Sequence, residues 1–368
     1  MPGRAADRRK YHAALGAAPD AGEARMDTER TTDTSSHVTR GRRRVITLAG
    51  LAAVSMFATA GTALAAPMSG RLRAVDLGTL HGTCCSTANA VNEQGVVVGA
   101  SNGHAVVWRD RRIGDLGTLG GGFSTATDVN ERGEIVGYST TSPRVDAEVH
   151  AVLWRHGHVI DLGRLPGGDN SYATAINDVG EVVGYSATEP GNLALHAFAW
   201  RRGSMTDLGR LNATSTAQDV TNRGRVVGGS TDGFDSAPVA WWRGTLTPLG
   251  GPSGLAGEAQ AVNDRGEITG YFFAGHGAFL WRRGVLIDLG RLPGATFVQA
   301  YGVNNRTQVV GDTDFDAFLW QRGTMTALPR LPGGGAAAAF DISDRGQAVG
   351  YSATTPGGTT LHAVVWTR

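Results

Sequence analysis

The carboxylates that alternate through Asp312-Thr313-Asp314-Phe315-Asp316 have a spacing that can present oxygens to a Ca²⁺ ion. The glycine and distal glutamate of an EF-hand loop are missing, so Ca²⁺ is the one cofactor the sequence suggests, on a partial motif. Cys84 and Cys85 are the only cysteines, and being adjacent they cannot staple distant parts of a chain. In an oxidising compartment they suit a labile vicinal disulfide; two free thiols, or pairing with another chain, are the alternatives. Trp242, beside Trp241, offers a ring that could stack on a sugar, although packing is the plainer role. His104, His150, His196 and His362 each precede Ala, two apolar residues and Trp, while Asp76, Asp115, Asp161, Asp207 and Asp288 each open Asp-Leu-Gly. A metal or catalytic group is needed once rather than four or five times. The repeated histidines therefore read as packing or hydrogen-bonding groups, and the repeated aspartates as partners of turns or of neighbouring repeats. No linear nucleophile elbow, His-x-x-x-His helix, phosphate loop or Cys-x-x-Cys is present, which leaves only sites assembled from several repeats.

The elements that must position these groups are repeats of about 40 residues. Tryptophans fall at Trp108, Trp154, Trp200, Trp241, Trp281, Trp320 and Trp366, and five of the seven are followed three residues on by Gly. Asp-Leu-Gly comes next, degenerate at Pro248 and Ala327. Asn92, Asn130, Asn177, Asn222, Asn263 and Asn304 then precede a turn, with Ser343 in the last copy. An apolar run closed by Gly follows, as in Glu181-Val182-Val183-Gly184. Short apolar, often β-branched runs between Gly/Asn/Asp punctuation read as strands, and no segment after residue 70 keeps a helical spacing. Trp-x-x-Gly and Asn-x-x-Gly both read as tight hairpins; Asn222 and Asn304 depart from the second pattern, the latter with Thr307 in the Gly position.

Four strands in about 40 residues predict an all-β fold, a seven-bladed β-propeller. We name the strands of a copy a to d. The first strand, residues 71–78, is a d strand without its c, and the last, residues 362–366, is a c strand without its d. Pairing the two closes the ring and removes its exposed edges. The a–b and c–d hairpins then share one face, and the b–c and d–a connections share the other. The b–c loops vary most: one carries Arg144, another is little more than Ser101-Asn102-Gly103. The Gly-rich d–a loops include Asp169 and Asn170. Variable loops on a rigid frame are where binding resides, so this face is the expected site, with Trp242, Asp169, Asn170 and Arg144 as candidate ligand contacts.

Residues 1–65 read as an N-terminal extension and a cleavable secretory signal, and residues 71–368 as the propeller. Arg40 and Arg42 to Arg44 precede an apolar run ending in Ala63-Leu64-Ala65, the order of a basic region, a core and an A-x-A site. Arg43-Arg44 also suits twin-arginine export, an uncleaved anchor is the alternative reading, and Met26 is an alternative start. The first 65 residues hold ten of the 34 Lys/Arg and six of the 33 Asp/Glu, so the body is acidic by three charges. A body with no Lys beyond Lys10 offers nothing to nucleic acid.

His196-Ala197-Phe198-Ala199-Trp200, with its copies at His104, His150 and His362, resembles the bacterial extracellular HAF repeat family. So do Asp-Leu-Gly, Asn-x-x-Gly-x-x-x-Gly, and the Gly-Gly-x-x-Ser-x-Ala found at residues 120–126 and 167–173. The resemblance spans residues 71–368; Ala237, Gly277 and Asp316 stand where three copies lack the His. It implies export to the cell surface or beyond and no particular activity. The expectation is a monomeric extracellular binding module, without a transmembrane helix once matured, holding a glycan, peptide or protein. A secreted hydrolase or lyase with its site at the channel mouth, and a scaffold without a small ligand, are the alternatives.

Overall fold

The computed structural model describes residues 72–368, apart from 83, 111, 193, 212, 232–235, 251–255 and 274–276. The expected signal peptide lies outside the described residues. The described residues form seven four-stranded antiparallel sheets arranged as a seven-bladed β-propeller. Blade 3 shows the pattern: a, Ser171–Ile176; b, Val182–Ala187; c, Leu195–Arg201; d, Ser204–Asp207. Blade 1 begins at Ser86–Val91. Blade 7 takes Ala337–Ile342, Ala348–Ala353 and Leu361–Thr367 from the end of the chain, and Arg73–Asp76 from its start. The closing pair runs Arg73↔Thr367 to Asp76↔Val364, so the two incomplete copies do share a blade. Each a strand touches those of the two neighbouring blades, including blade 7 against blade 1, and the seven enclose an axial channel.

Local chemistry makes this folding cheap. A two-residue hairpin with native strand twist needs φ > 0 at both central residues. Arg202 and Gly203 supply it at 52° and 87°, and four more blades repeat it at His156-Gly157, Arg243-Gly244, Arg283-Gly284 and Arg322-Gly323. At the a–b turn, Asn177 Oδ1 accepts the N–H groups of Val179 (3.2 Å) and Glu181 (2.9 Å), while Gly180 takes φ 81°. Thr307, which replaces that Gly in blade 6, is held in the same left-handed region at φ 58°.

The Gly that ends each apolar b run has a different cause. All seven a strands carry a β-bulge, in blade 3 between Ala173 and Ala175, which brings the Tyr172 carbonyl over Gly184. A Cβ on Gly184 would lie 2.0 Å from that oxygen, and the other six positions give 1.9–2.1 Å. The core lies between blades rather than within them: Trp241 of blade 4 packs with Ala175 and Ala197 of blade 3, and Trp108 of blade 1 with Val349 and Ala363 of blade 7. Trp154 Nε1–H reaches back to the Gly117 carbonyl and Trp366 Nε1–H to Pro329, each on the preceding blade. Among the described residues no helix is long and apolar enough to cross a membrane.

Candidate functional site

The repeated histidines and aspartates are partners of one another. His Nδ1 meets the Asp carboxylate on the adjacent d strand at 3.0 Å (His104–Asp115), 2.8 Å (His150–Asp161), 2.6 Å (His196–Asp207) and 2.8 Å (His362–Asp76). The second Asp oxygen accepts an N–H two residues on, from Gly78, Gly117, Gly163 or Gly209. Just after each His, the Ala N–H donates to a Ser on the next blade: Ala105 to Ser124, Ala151 to Ser171, Ala197 to Ser215, and Ala363 to Ser86. His, Ala, Asp and Ser thus form one joint between successive blades. The three copies without His also lack the Ser, with Gly257, Val298 and Ala337 in its place. In blade 6, Asp316 takes the His position and pairs with Arg330 at 2.8 Å.

The unrepeated candidates are scattered. Asp312 lies within a b strand, Asp314 accepts from Thr296 and Phe297, and Asp316 is held by Arg330. The described residues contain no group of three or more His, Cys, Asp or Glu placed to hold a metal. Cys84 and Cys85 are joined as a vicinal disulfide in the d–a connection ahead of blade 1, where the Cys85 carbonyl accepts from Asn102 N–H. Asp169 and Asn170 tie loops together by accepting from Gly191 N–H (2.9 Å) and Val149 N–H (2.7 Å), and exposed Arg144 pairs with Asp146. These three share the b–c/d–a face. Trp242 does not: it sits at a c–d hairpin on the opposite face, with the Arg225 and Arg243 guanidinium groups 5.3 and 5.4 Å from its ring centre. It belongs to a different surface from the other candidate contacts, because the end of a c strand always points to the hairpin side.

The structure instead assembles a belt that the repeat pattern hides. In six blades the second residue of the a strand, and in blade 4 the third, pairs across to the b strand near the d–a end of the channel. The seven pairs are Thr87↔Ala100, Thr125↔Tyr138, Tyr172↔Tyr185, Thr216↔Gly229, Glu258↔Tyr271, Gln299↔Asp312 and Ala338↔Tyr351. Two aromatic arcs run through it. One leads from exposed Phe123 through Tyr138 and Tyr172 to Tyr185, with centroids 6.1, 5.1 and 5.0 Å apart. The other leads from exposed Phe273 through Tyr271, Tyr301 and Phe340 to Tyr351, at 5.8, 6.1, 5.5 and 5.7 Å. Between the arcs lies Glu258, accepting from Thr216 Oγ1 (2.8 Å), Gln218 Nε2 (2.8 Å) and Gln260 Nε2 (3.1 Å). Burial chiefly raises the hydroxyl pKa values of Tyr185 and Tyr271, helped at Tyr271 by the Glu258 and then the Asp312 carboxylate and at Tyr185 by Tyr138, Tyr172 and, least, Glu258, so both stay neutral donors.

The other end of the channel is acidic. In blade 4 the turn position expected for Asn222 is taken by Thr221, whose Oγ1 accepts the Arg225 N–H, and Asn222 stands one place on. The residue after each turn Asn or its substitute is Glu93, Glu131, Asp178, Asn222, Asp264, Asn305 or Asp344, and all seven line a mouth of about 300 Å³. Six of them, all but Asp264, accept a backbone N–H from the preceding blade, for example Glu93 N–H to Glu131 (2.7 Å) and Glu131 N–H to Asp178 (2.9 Å). Behind this mouth stand Asp128, Asp219 and Asp341 on the a strands of blades 2, 4 and 7. Each clamps two blades: Asp128 accepts from Val129 and Ile176, Asp219 from Val220 and Val262, and Asp341 from Ile342 and Val91. They are enclosed by protein but keep part of their surface toward the channel.

No family model matches the chain, and no curated protein is similar enough in sequence to count as a relative. Solved structures are similar in fold. A catalytically inactive virginiamycin B lyase from Staphylococcus aureus, with quinupristin, aligns at a TM-score of 0.56 and 11% identity over 81% of this chain and all of that one. YCF48 bound to a D1 peptide aligns at 0.51 and 13%, over 81% of this chain and 96% of that one. The Pyrococcus horikoshii acylaminoacyl peptidase aligns at 0.45 and 11% over 72% of this chain, which spans about half (49%) of its length.

Proposed function

We propose that the protein is an exported propeller of the HAF repeat kind that binds a glycan at the b–c/d–a end of its channel. The observation that carries this reading is the pair of aromatic arcs, each running inward from an exposed ring (Phe123, Phe273) past partly exposed tyrosines to polar Gln299 and Glu258. Sugar rings present apolar faces that stack on aromatic rings and hydroxyls that need fixed donors and acceptors, and the belt alternates these two surfaces. The lyase and YCF48 neighbours are described with quinupristin and with a peptide, so this fold accommodates ligands of differing chemistry and does not choose among them.

A glycan array with a turnover readout, run on the full chain, tests the reading. Binding is expected, and Tyr172→Ala and Tyr271→Ala each weaken it by about tenfold, as loss of one stacking ring does. Silence across the array sinks the glycan reading. Product formation moves it to an enzyme acting at the same belt.

A further inference from the structure

The belt has an uneven charge. Of its fourteen positions, Glu258 and Asp312 are acidic and none is Lys, Arg or His. Glu258 is half-buried and held by three neutral donors, and no ion pair with a cationic side chain reaches it among the described residues. A carboxylate removed from bulk water without a counter-charge is costly, and bonds from amides and a hydroxyl offset that cost only in part. Glu258 is also kept open on one side. The neighbouring belt residue is Gly229, where an added Cβ would lie 3.1 Å from Glu258 Cγ. Tyr271 is its cross-strand partner, and Tyr185 lies near enough that the Glu258 charge helps to keep both hydroxyls neutral. Aromatic rings around a carboxylate are the chemistry that recognises an organic cation.

Building on the glycan reading above, we propose that the bound sugar carries free amino groups, one of which is received at Glu258 between Tyr185 and Tyr271. The ligand class is a cationic amino-sugar oligomer.

Calorimetric titration of the full chain at pH 6 with chito-oligosaccharides in the free-amine and N-acetylated forms tests this, since the two share one backbone. The amine form is expected to bind about tenfold more tightly, with an advantage that shrinks as NaCl rises. Glu258→Gln removes the advantage and leaves binding of the acetylated form. Gly229→Ala, which crowds the carboxylate without changing charge, also reduces the advantage, and covers the case in which Glu258→Gln melts early. Equal affinity for the two forms overturns the amine proposal and leaves the glycan reading standing. Silence with both forms overturns the amine proposal, while the glycan reading then stands or falls on the array. An advantage that survives Glu258→Gln but vanishes in Glu131→Gln/Asp178→Asn puts the cation at the acidic mouth and overturns the assignment to Glu258.

Discussion

A single atom decides the b-strand glycines. Gly184 lies under the Tyr172 carbonyl because the bulge at Thr174 pushes that stretch of the a strand toward its partner. Gly184→Ala is expected to cost about 3 kcal/mol, since backbone rather than a flexible side chain must move. Chemical denaturation measures it, and a loss below about 1 kcal/mol would mean that the bulge relaxes. The His–Asp joint makes a second claim, about sign. His150 has a raised pKa, chiefly through its bond to Asp161, with burial opposing. A raised folded-state His pKa stabilises below the unfolded value of about 6.5, and the gain is lost as pH rises through the folded value. A double-mutant cycle between His150→Ala and Asp161→Ala is therefore expected to show a coupling of about 1 kcal/mol at pH 6 that declines toward pH 9. A coupling that does not change with pH would remove the charge from the joint.

At the scale of strands and blades, closure rests on Arg73–Asp76. This strand contributes its ladder to Leu361–Thr367, the Leu77 N–H bond to the Ala363 carbonyl, and the Asp76–His362 pair. Deleting residues 72–78 also exposes the edge of Leu361–Thr367. It is expected to lower the Tm by more than about 10 °C and to bring concentration-dependent aggregation, where trimming an ordinary terminus does neither. Such closure was legible in the sequence, because a copy lacking its c strand at one end complements a copy lacking its d strand at the other. The hairpins were legible too, since Trp200-Arg201-Arg202-Gly203 names a turn that demands two left-handed residues. The site was not. Reading a strand outward from its motifs assumes strict alternation, and the extra residue of each bulge (Thr174 in blade 3) reverses which side chains face the channel. Tyr172, Glu258 and Asp312 therefore looked like unrelated residues of three copies, although they stand in one belt. The His–Asp joint could have been read from the constant eleven-residue step of His104 to Asp115, His150 to Asp161 and His196 to Asp207.

For the molecule as a whole, the channel couples blades that never touch. Asp128, Asp219 and Asp341 sit on three blades spaced around the ring, and each ties one seam, the last being the seam between blades 7 and 1. Burial pushes the Asp128 carboxyl up to about 8, against the N–H groups of Ile176 and Val129, and the charges of Asp219 and Asp341 add to the rise. Asp219 and Asp341 are pushed up to about 6, again mainly by burial; Asp264 adds to the first and Glu93 to the second from the acidic mouth. With the unfolded value near 3.8, the native state binds more protons than the unfolded chain between about pH 4 and 8, so its stability falls as pH rises through that window. The expected result is a Tm that declines from pH 5 to pH 8, with the upper part of the slope flattened by Asp128→Asn. His150 contributes a slope of the same sign, so the variant rather than the slope alone is decisive. A Tm that rises over this range, or an Asp128→Asn slope equal to that of the parent, would show that water in the channel solvates the three carboxylates fully. Ring closure would then not be weakened by the loss of their protons. If the slope is as expected, loss of protons gathers negative charge on the axis behind a mouth that is already acidic, and repulsion across the channel loads every seam at once. The three clamps therefore respond as one group, although each lies on its own blade.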